Sequence, residues 1–187
     1  METGPAHARR TIRLAAVSVV LLLVTVVAGA QFRGAGRQPR LATLADFDGS
    51  FQFCRVVFRA DRNGDGGNWS VDWPRADENL STRLSELTKT SVGRHGDGTP
   101  KHLLVRLDDP TLFRCPFIMM TEVGSAYLDQ DEATHLREYL VKGGFLWADD
   151  FWGEYAWDFW ERQIRKALPS GTYRIVDLDP ASHPLFH

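Results

Sequence analysis

A chain of 187 residues, 43% hydrophobic and 25% charged, is long enough to bury one substantial core and is not the composition of a disordered polypeptide. The formal net charge of −2, with no basic stripe, excludes nucleic acid as an expected partner. Three arginines, Arg9, Arg10 and Arg13, precede a mostly apolar run from Leu14 to Val27, and Ala28-Gly29-Ala30 then places small residues where a signal peptidase reads.

That run is shorter than the roughly 20 residues a spanning helix prefers. Residues 1–30 therefore read as a secretory signal cleaved before Gln31, or else as an uncleaved N-terminal anchor, the one route by which this protein would meet a membrane. Arg9-Arg10 suggests the twin-arginine route, but the residues after the pair fit that motif poorly, and no Cys near the cleavage position suggests a lipoprotein. Residues 31–48 read as a linker and 49–187 as the folded domain, outside the cytoplasm. The two cysteines, Cys54 and Cys115, could be bridged in an exported protein. Both lie in or beside apolar, strand-like runs, so the expectation is two buried thiols acting as small hydrophobes.

Phe51 to Phe58 is rich in β-formers and reads as the first strand. Leu80, Leu84 and Leu87 recur at i, i+4, i+7, which predicts an amphipathic helix from Asp77 to about Thr90. His102 to Leu107 is a short strand or extended segment. Phe117 to Met120 is a continuous apolar run, as expected of a strand buried on both faces. Asp129-Gln130-Asp131-Glu132 opens a helix with an acidic first turn and a capping box, Ala133, Leu136 and Leu140 form its inner stripe, and Gly143-Gly144 end it with a left-handed cap. Phe145 to Ala148 is expected to be another buried strand. Trp157, Trp160, Ile164 and Ala167 mark a helix stopped at Pro169, and Tyr173 to Val176 a further strand. This order predicts a three-layer α/β/α, flavodoxin-like domain with a mainly parallel sheet. The chain stops soon after its last expected strand, which reads as a C-terminus cut short or completed by a partner.

Several segments in order resemble a bacterial family, domain-of-unknown-function family 4159: Trp69-Ser70-Val71-Asp72-Trp73-Pro74, Arg83-Leu84-Ser85-Glu86-Leu87-Thr88, Gly143-Gly144-Phe145-Leu146 with Asp149-Asp150-Phe151-Trp152-Gly153, and His183-Pro184-Leu185-Phe186-His187. The resemblance covers about residues 51–187. It implies a relative of the class I glutamine-amidotransferase-like, flavodoxin-like folds, often exported or anchored. The family's pattern runs on past the His-Pro-Leu-Phe-His segment, and it supplies no catalytic residue to carry over. An amidotransferase needs a Cys on a nucleophile elbow. After Met120 this chain reads Thr121-Glu122-Val123-Gly124-Ser125, with neither a Cys nor the Gly-x-Ser-x-Gly turn that would make Ser125 a nucleophile.

In open α/β sheets ligands bind beyond the C-terminal ends of the strands. Asp149 and Asp150 end one apolar run, Glu122 ends its neighbour, and Trp152 and His183 are in reach of the same edge. These five are the candidate ligand-binding residues. Asp149 is expected in a cleft near Phe151, Trp152 and Glu122, and Asp150 as a helix cap or backbone partner. Carboxylates there would suit a divalent cation as cofactor. A second, weaker candidate cation site is Asp61-Arg62-Asn63-Gly64-Asp65-Gly66, which matches the start of a Ca²⁺ loop through Asp61, Asn63 and Asp65, but a strand precedes it and Gly67-Asn68-Trp69-Ser70 does not open a helix, so a Gly-rich turn is the leading reading. The aromatics Trp69, Trp73, Phe151, Trp152, Tyr155 and Trp157 suit a carbohydrate-binding rim, a core or an interface. The leading expectation is a non-catalytic domain of the cell envelope binding a ligand or protein. The alternative is a metal-assisted hydrolase using the Asp149/Asp150 loop with Glu122.

Overall fold

The computed structural model describes residues 39–186; the expected leader and most of the expected linker lie outside them. The elements are β1 (Phe53–Val56), β2 (Arg59–Ala60), α1 (Arg75–Leu87), β3 (His102–Val105), β4 (Phe117–Thr121), β5 (Ala126–Tyr127), α2 (Gln130–Val141), β6 (Phe145–Asp149) and α3 (Gly153–Ala167). Four strands form a parallel sheet in the order β3-β1-β4-β6, and β2 pairs antiparallel with β5 in a small ribbon. Counting only the four parallel strands, the order is 2-1-3-4, the flavodoxin-like arrangement expected of a three-layer α/β domain.

Strand alternation divides the side chains between two faces. Cys54, Val56, Leu103, Val105, Ile118 and Met120 meet Ala133, Leu136 and Tyr139 of α2 and Trp160, Ile164 and Ala167 of α3 in one apolar core. The opposite face presents Phe53, Arg55, Met119 and, on β6, Phe145 and Trp147. There α1 covers only part of the sheet, and its buried residues are Asp77 and Ser81. The leucine stripe is not the buried face: Leu80 and Leu84 are half-buried and Leu87 is 81% exposed. The reason is Arg55. It is fully buried in mid-sheet, and its guanidinium must find an anion, which Asp77 supplies.

α2 starts as the sequence predicts. Asp129 accepts from the Glu132 N–H at 2.9 Å, Glu132 accepts from the Asp129 N–H at 3.0 Å, and Gly143 takes φ +95° past its end. Other expectations are corrected. Cys54 and Cys115 are not free thiols but form a disulfide, with Cα atoms 6.2 Å apart, between β1 and the loop entering β4. β6 is not buried on both faces. It is the sheet's edge strand, with Phe145 53% and Trp147 45% exposed, because no helix covers that part of the α1 face. Tyr173 to Val176 does not join the sheet and forms no regular element. Residues 41–46, within the span expected as linker, pack on the domain. Leu41 bridges to Leu104, the Ala42 N–H donates to the Leu104 carbonyl at 2.8 Å, and Arg40 pairs with Asp46.

Candidate functional site

Three loops meet at the C-terminal ends of the parallel strands: residues 61–74 following β2, the turn after β4, and residues 150–152 after β6. The first is drawn tight onto the second. The Asp65 N–H donates to the Gly124 carbonyl at 3.0 Å and the Asp61 N–H to that of Ser125 at 2.7 Å. A Cβ on Gly124 would lie 2.2 Å from the Asp65 carbonyl oxygen, and one on Gly64 would lie 2.5 Å from Ser125 Cα, so this backbone approach requires glycine on both sides. Glu122 accepts from the Gly67 N–H at 2.8 Å, and Ser125 donates its hydroxyl to the Gly67 carbonyl at 2.8 Å. From below, Arg55 donates to the carbonyls of Trp69 at 3.1 Å and Val71 at 3.3 Å while holding Asp77. Tyr155 of α3 donates to the Asn63 carbonyl at 2.6 Å.

Asp72, Glu122 and Asp150 all adopt the left-handed backbone, at φ 59°, 55° and 59°. Aspartate tolerates this region through its short polar side chain, but Glu122 has no such excuse, and every one of the three is an acidic residue in one of the converging loops. The Glu122 N–H donates to the Asp149 carbonyl at 3.0 Å, extending the β4–β6 pairing past Asp149 and fixing the two loops relative to each other.

Asp149 is exposed, and its Oδ1 accepts from the Asp150 N–H at 2.7 Å. Asp150 does not cap α3, whose N-cap is Trp152 without a side-chain bond; Asp150 instead accepts from the Trp152 indole N–H at 3.2 Å. Trp152 is 80% exposed. His183 makes its contacts within its own turn: its ring lies edge-on to Phe186 at 6.4 Å and its Nδ1 accepts from the Leu185 N–H. Asp61 accepts from the Asn63 N–H at 2.8 Å, and the Asp65 backbone is engaged with Gly124, so Asp61, Asn63 and Asp65 are arranged as a turn. Among the described residues no group of three or more His, Cys, Asp or Glu is placed to hold a metal ion. Chemically, the edge offers an exposed indole, two neighbouring carboxylates and a rigid backbone frame.

The sequence reading missed the buried Arg55–Asp77 pair. Its one signal was an arginine inside an apolar strand, where a charge needs a partner. Among the described residues no helix is long and apolar enough to cross a membrane. None of the curated proteins matches the chain. The family model named Domain of unknown function (DUF4159) matches residues 52–187, from the residue before β1 through the His-Pro-Leu-Phe-His segment, and the chain belongs to that family.

Proposed function

We propose that this protein is an exported domain of the cell envelope that binds a ligand or protein partner at the C-terminal edge of its sheet. The observation that carries the binding assignment is the backbone strain gathered there. Non-glycine residues in sparsely populated conformations cost on the order of 1–3 kcal/mol each and persist where the surroundings over-determine them, typically at binding sites. Glu122 carries that strain, its N–H is bonded to the Asp149 carbonyl, and beside Asp150 stands Trp152, whose exposed ring would desolvate on contact. An indole next to two carboxylates suits a polar ligand with an apolar face, such as a sugar. Export is supported by the leader pattern of residues 1–30 and by the Cys54–Cys115 bridge, which fits an oxidising compartment. A relationship to the class I glutamine-amidotransferase-like folds is a further proposal, supported by the strand order alone. The turn after β4 lacks a Cys, and both cysteines of the chain are in the bridge.

The test is titration of the protein, followed by tryptophan fluorescence, with soluble cell-wall oligosaccharides and separately with Ca²⁺, Mg²⁺, Mn²⁺ and Zn²⁺. Oligosaccharide binding that falls at least about tenfold in Trp152→Ala and in Asp149→Asn is the expected result. A stoichiometric cation lost in Asp149→Asn, with no oligosaccharide bound, would replace this reading with the metal-assisted hydrolase. For export, N-terminal sequencing of protein recovered from cells should begin at or near Gln31.

A further inference from the structure

The sheet's two edges are treated differently. Outside β3, Leu41 and Ala42 add a bridge and a hydrogen bond. Outside β6 nothing among the described residues pairs. The Phe145 N–H donates to the Pro116 carbonyl, and the Asp149 carbonyl accepts from Glu122, so residues 145, 147 and 149 turn their backbone groups toward β4. The N–H and C=O groups of Leu146 and Ala148 therefore point away from the sheet. Main-chain groups in that position are a template for another strand, and native edges are commonly blunted by charge, proline or a bulge. Phe145-Leu146-Trp147-Ala148 has none of these. Its α1 face adds two exposed rings, Phe145 and Trp147, with Phe117 stacked on Phe145 at 6.0 Å.

We infer that β6 is the surface through which two copies of this chain associate, pairing antiparallel about a two-fold axis at Trp147. A two-fold contact must be complementary to itself, and β6 meets that condition in its hydrogen bonds, its side chains and its charge. Identical strands related by such an axis run antiparallel, and antiparallel partners alternate between pairs that exchange two hydrogen bonds and pairs that exchange none. The free groups belong to Leu146 and Ala148. The register that uses all of them sets Leu146 of each copy against Ala148 of the other, with Trp147 against Trp147 in the non-bonded pair between. Non-bonded pairs are the closely spaced ones, so the two indoles meet on the α1 face as an aromatic cross-strand pair. On the core face the half-buried Leu146 meets the half-buried Ala148, apolar against apolar. The ends of the strand carry opposite charge: the exposed Lys142 precedes it, and Asp149 and Asp150 end it. Antiparallel pairing brings the basic end of one copy beside the acidic end of the other, and no charged residue lies on the axis. A strand of another protein could use the same backbone groups. What favours a second copy is that Trp147 and the opposite charges fall at matching positions of one and the same strand. The contact is small. Phe145 is 53% and Trp147 45% exposed, so at about 200 Å² for a whole aromatic side chain the two rings offer roughly 200 Å² per copy. With a five-residue edge the total stays below about 1,200 Å², the size of a reversible pair and not of a permanent one.

Sedimentation equilibrium and hydrogen exchange on the full chain test this. The weight-average mass is expected to rise from one copy at about 1 μM toward two at about 1 mM, as for a small reversible interface. Over the same range the exchange of the Leu146 and Ala148 amides should slow by more than about tenfold. Trp147→Lys sets two ammonium groups against each other on the axis and should weaken association by more than about tenfold, while the Leu136 amide in α2 stays protected. Lys142→Glu should also weaken it, and more at low salt than at high. A cysteine on the axis reads the register without relying on a destabilised contact. Across a non-bonded pair the Cβ atoms are about 5 Å apart, so Trp147→Cys should oxidise to a linked pair of chains. Phe145→Cys, whose two copies would lie about 14 Å apart along the strands, should link more than about tenfold more slowly. Protein that remains a single copy at about 1 mM would overturn the inference. So would association unchanged in Trp147→Lys, which places the contact elsewhere, and equal linking of the two cysteine variants. Protection of Leu146 and Ala148 that does not vary with concentration would overturn it as well, because the occupant would then belong to the same chain.

Discussion

The Cys54–Cys115 bridge closes a loop of 61 residues around the centre of the sheet, and its contribution to stability follows from that separation. In the chain-entropy treatment, cross-linking residues this far apart removes about 4 kcal/mol of conformational freedom from the unfolded state. That is a large share of the roughly 5–15 kcal/mol by which a domain is stable, and for a domain of this size it corresponds to about 8–16 °C in melting temperature. Both sulfurs lie in the core, so replacement by two buried alanines adds only a small packing loss. The perturbation is therefore the double variant Cys54→Ala/Cys115→Ala, alongside the wild-type protein with and without a thiol reductant. Urea unfolding followed by tryptophan fluorescence gives the free-energy difference, and thiol titration of the unfolded wild-type protein counts free cysteines. The expected result is no free thiol before reduction and a loss of about 4 kcal/mol after it. Two titratable thiols in protein taken from an oxidising compartment, or a urea midpoint unmoved by reduction, would refute both the bridge and its use in support of export.

Arg55 and Asp77 are both fully buried, so Asp77→Ala leaves an uncompensated interior charge and should cost about 3–5 kcal/mol in urea unfolding; the double variant Arg55→Met/Asp77→Leu should cost less than either single change. The carboxyls of Asp46 and Asp48 are held well below their ordinary value of 3.8, chiefly by the Arg40 and Lys101 side chains respectively. A depressed folded-state pKa confers stability that is full above the unfolded value and is lost progressively as pH falls toward the folded value, so exchange protection of the Ala42 amide should be full at pH 6 and decline steadily as pH is lowered from about 4. Burial pushes the Tyr139 hydroxyl up to about 12 from its ordinary value of 10.0. The folded state therefore holds that proton where the unfolded state releases it, and stability should fall between pH 10 and 12 in the wild type. Tyr139→Phe should remove that slope in urea titrations and cost about 1 kcal/mol at neutral pH, because the hydroxyl bonds the Phe145 backbone.

What could be read in the sequence was whatever local chemistry decides. The Asp129/Glu132 capping box, the Gly143 cap, the central β4 run and the helix ending at Ala167 were all legible from residues close in sequence. The misreadings share a different cause. Phe145 to Ala148 is as apolar as β4, and only the strand order reveals that one face of β6 has no helix above it. The leucines of α1 have helical spacing, yet the buried position goes to Asp77, 22 residues from the arginine that requires it. The cysteines looked like core hydrophobes and are indeed in the core; their pairing depends on the approach of two segments that periodicity cannot register. At the candidate edge the residue types were visible. The left-handed backbone of Glu122 and the glycine-to-glycine contact that pins residues 61–74 were not, since both arise from the meeting of loops.

The way residues 61–74 are fixed bears on how the edge would bind. A loop this rich in glycine would ordinarily be costly to order, and a site built on it would lose affinity to that entropy. Here four independent anchors act on it before any ligand arrives: Arg55 on the Trp69 and Val71 carbonyls, Glu122 on the Gly67 N–H, Ser125 on the Gly67 carbonyl, and Tyr155 on the Asn63 carbonyl. The anchors come from β1, the turn after β4, and α3, so the loop reports the position of the sheet itself. Arg55 connects the two levels, because its fixed planar fork bonds the loop through one branch and the buried Asp77 through the other. The frame is preorganised and Trp152 is the most exposed aromatic side chain beside it, so ligand contact at this edge would bury an indole rather than order a loop.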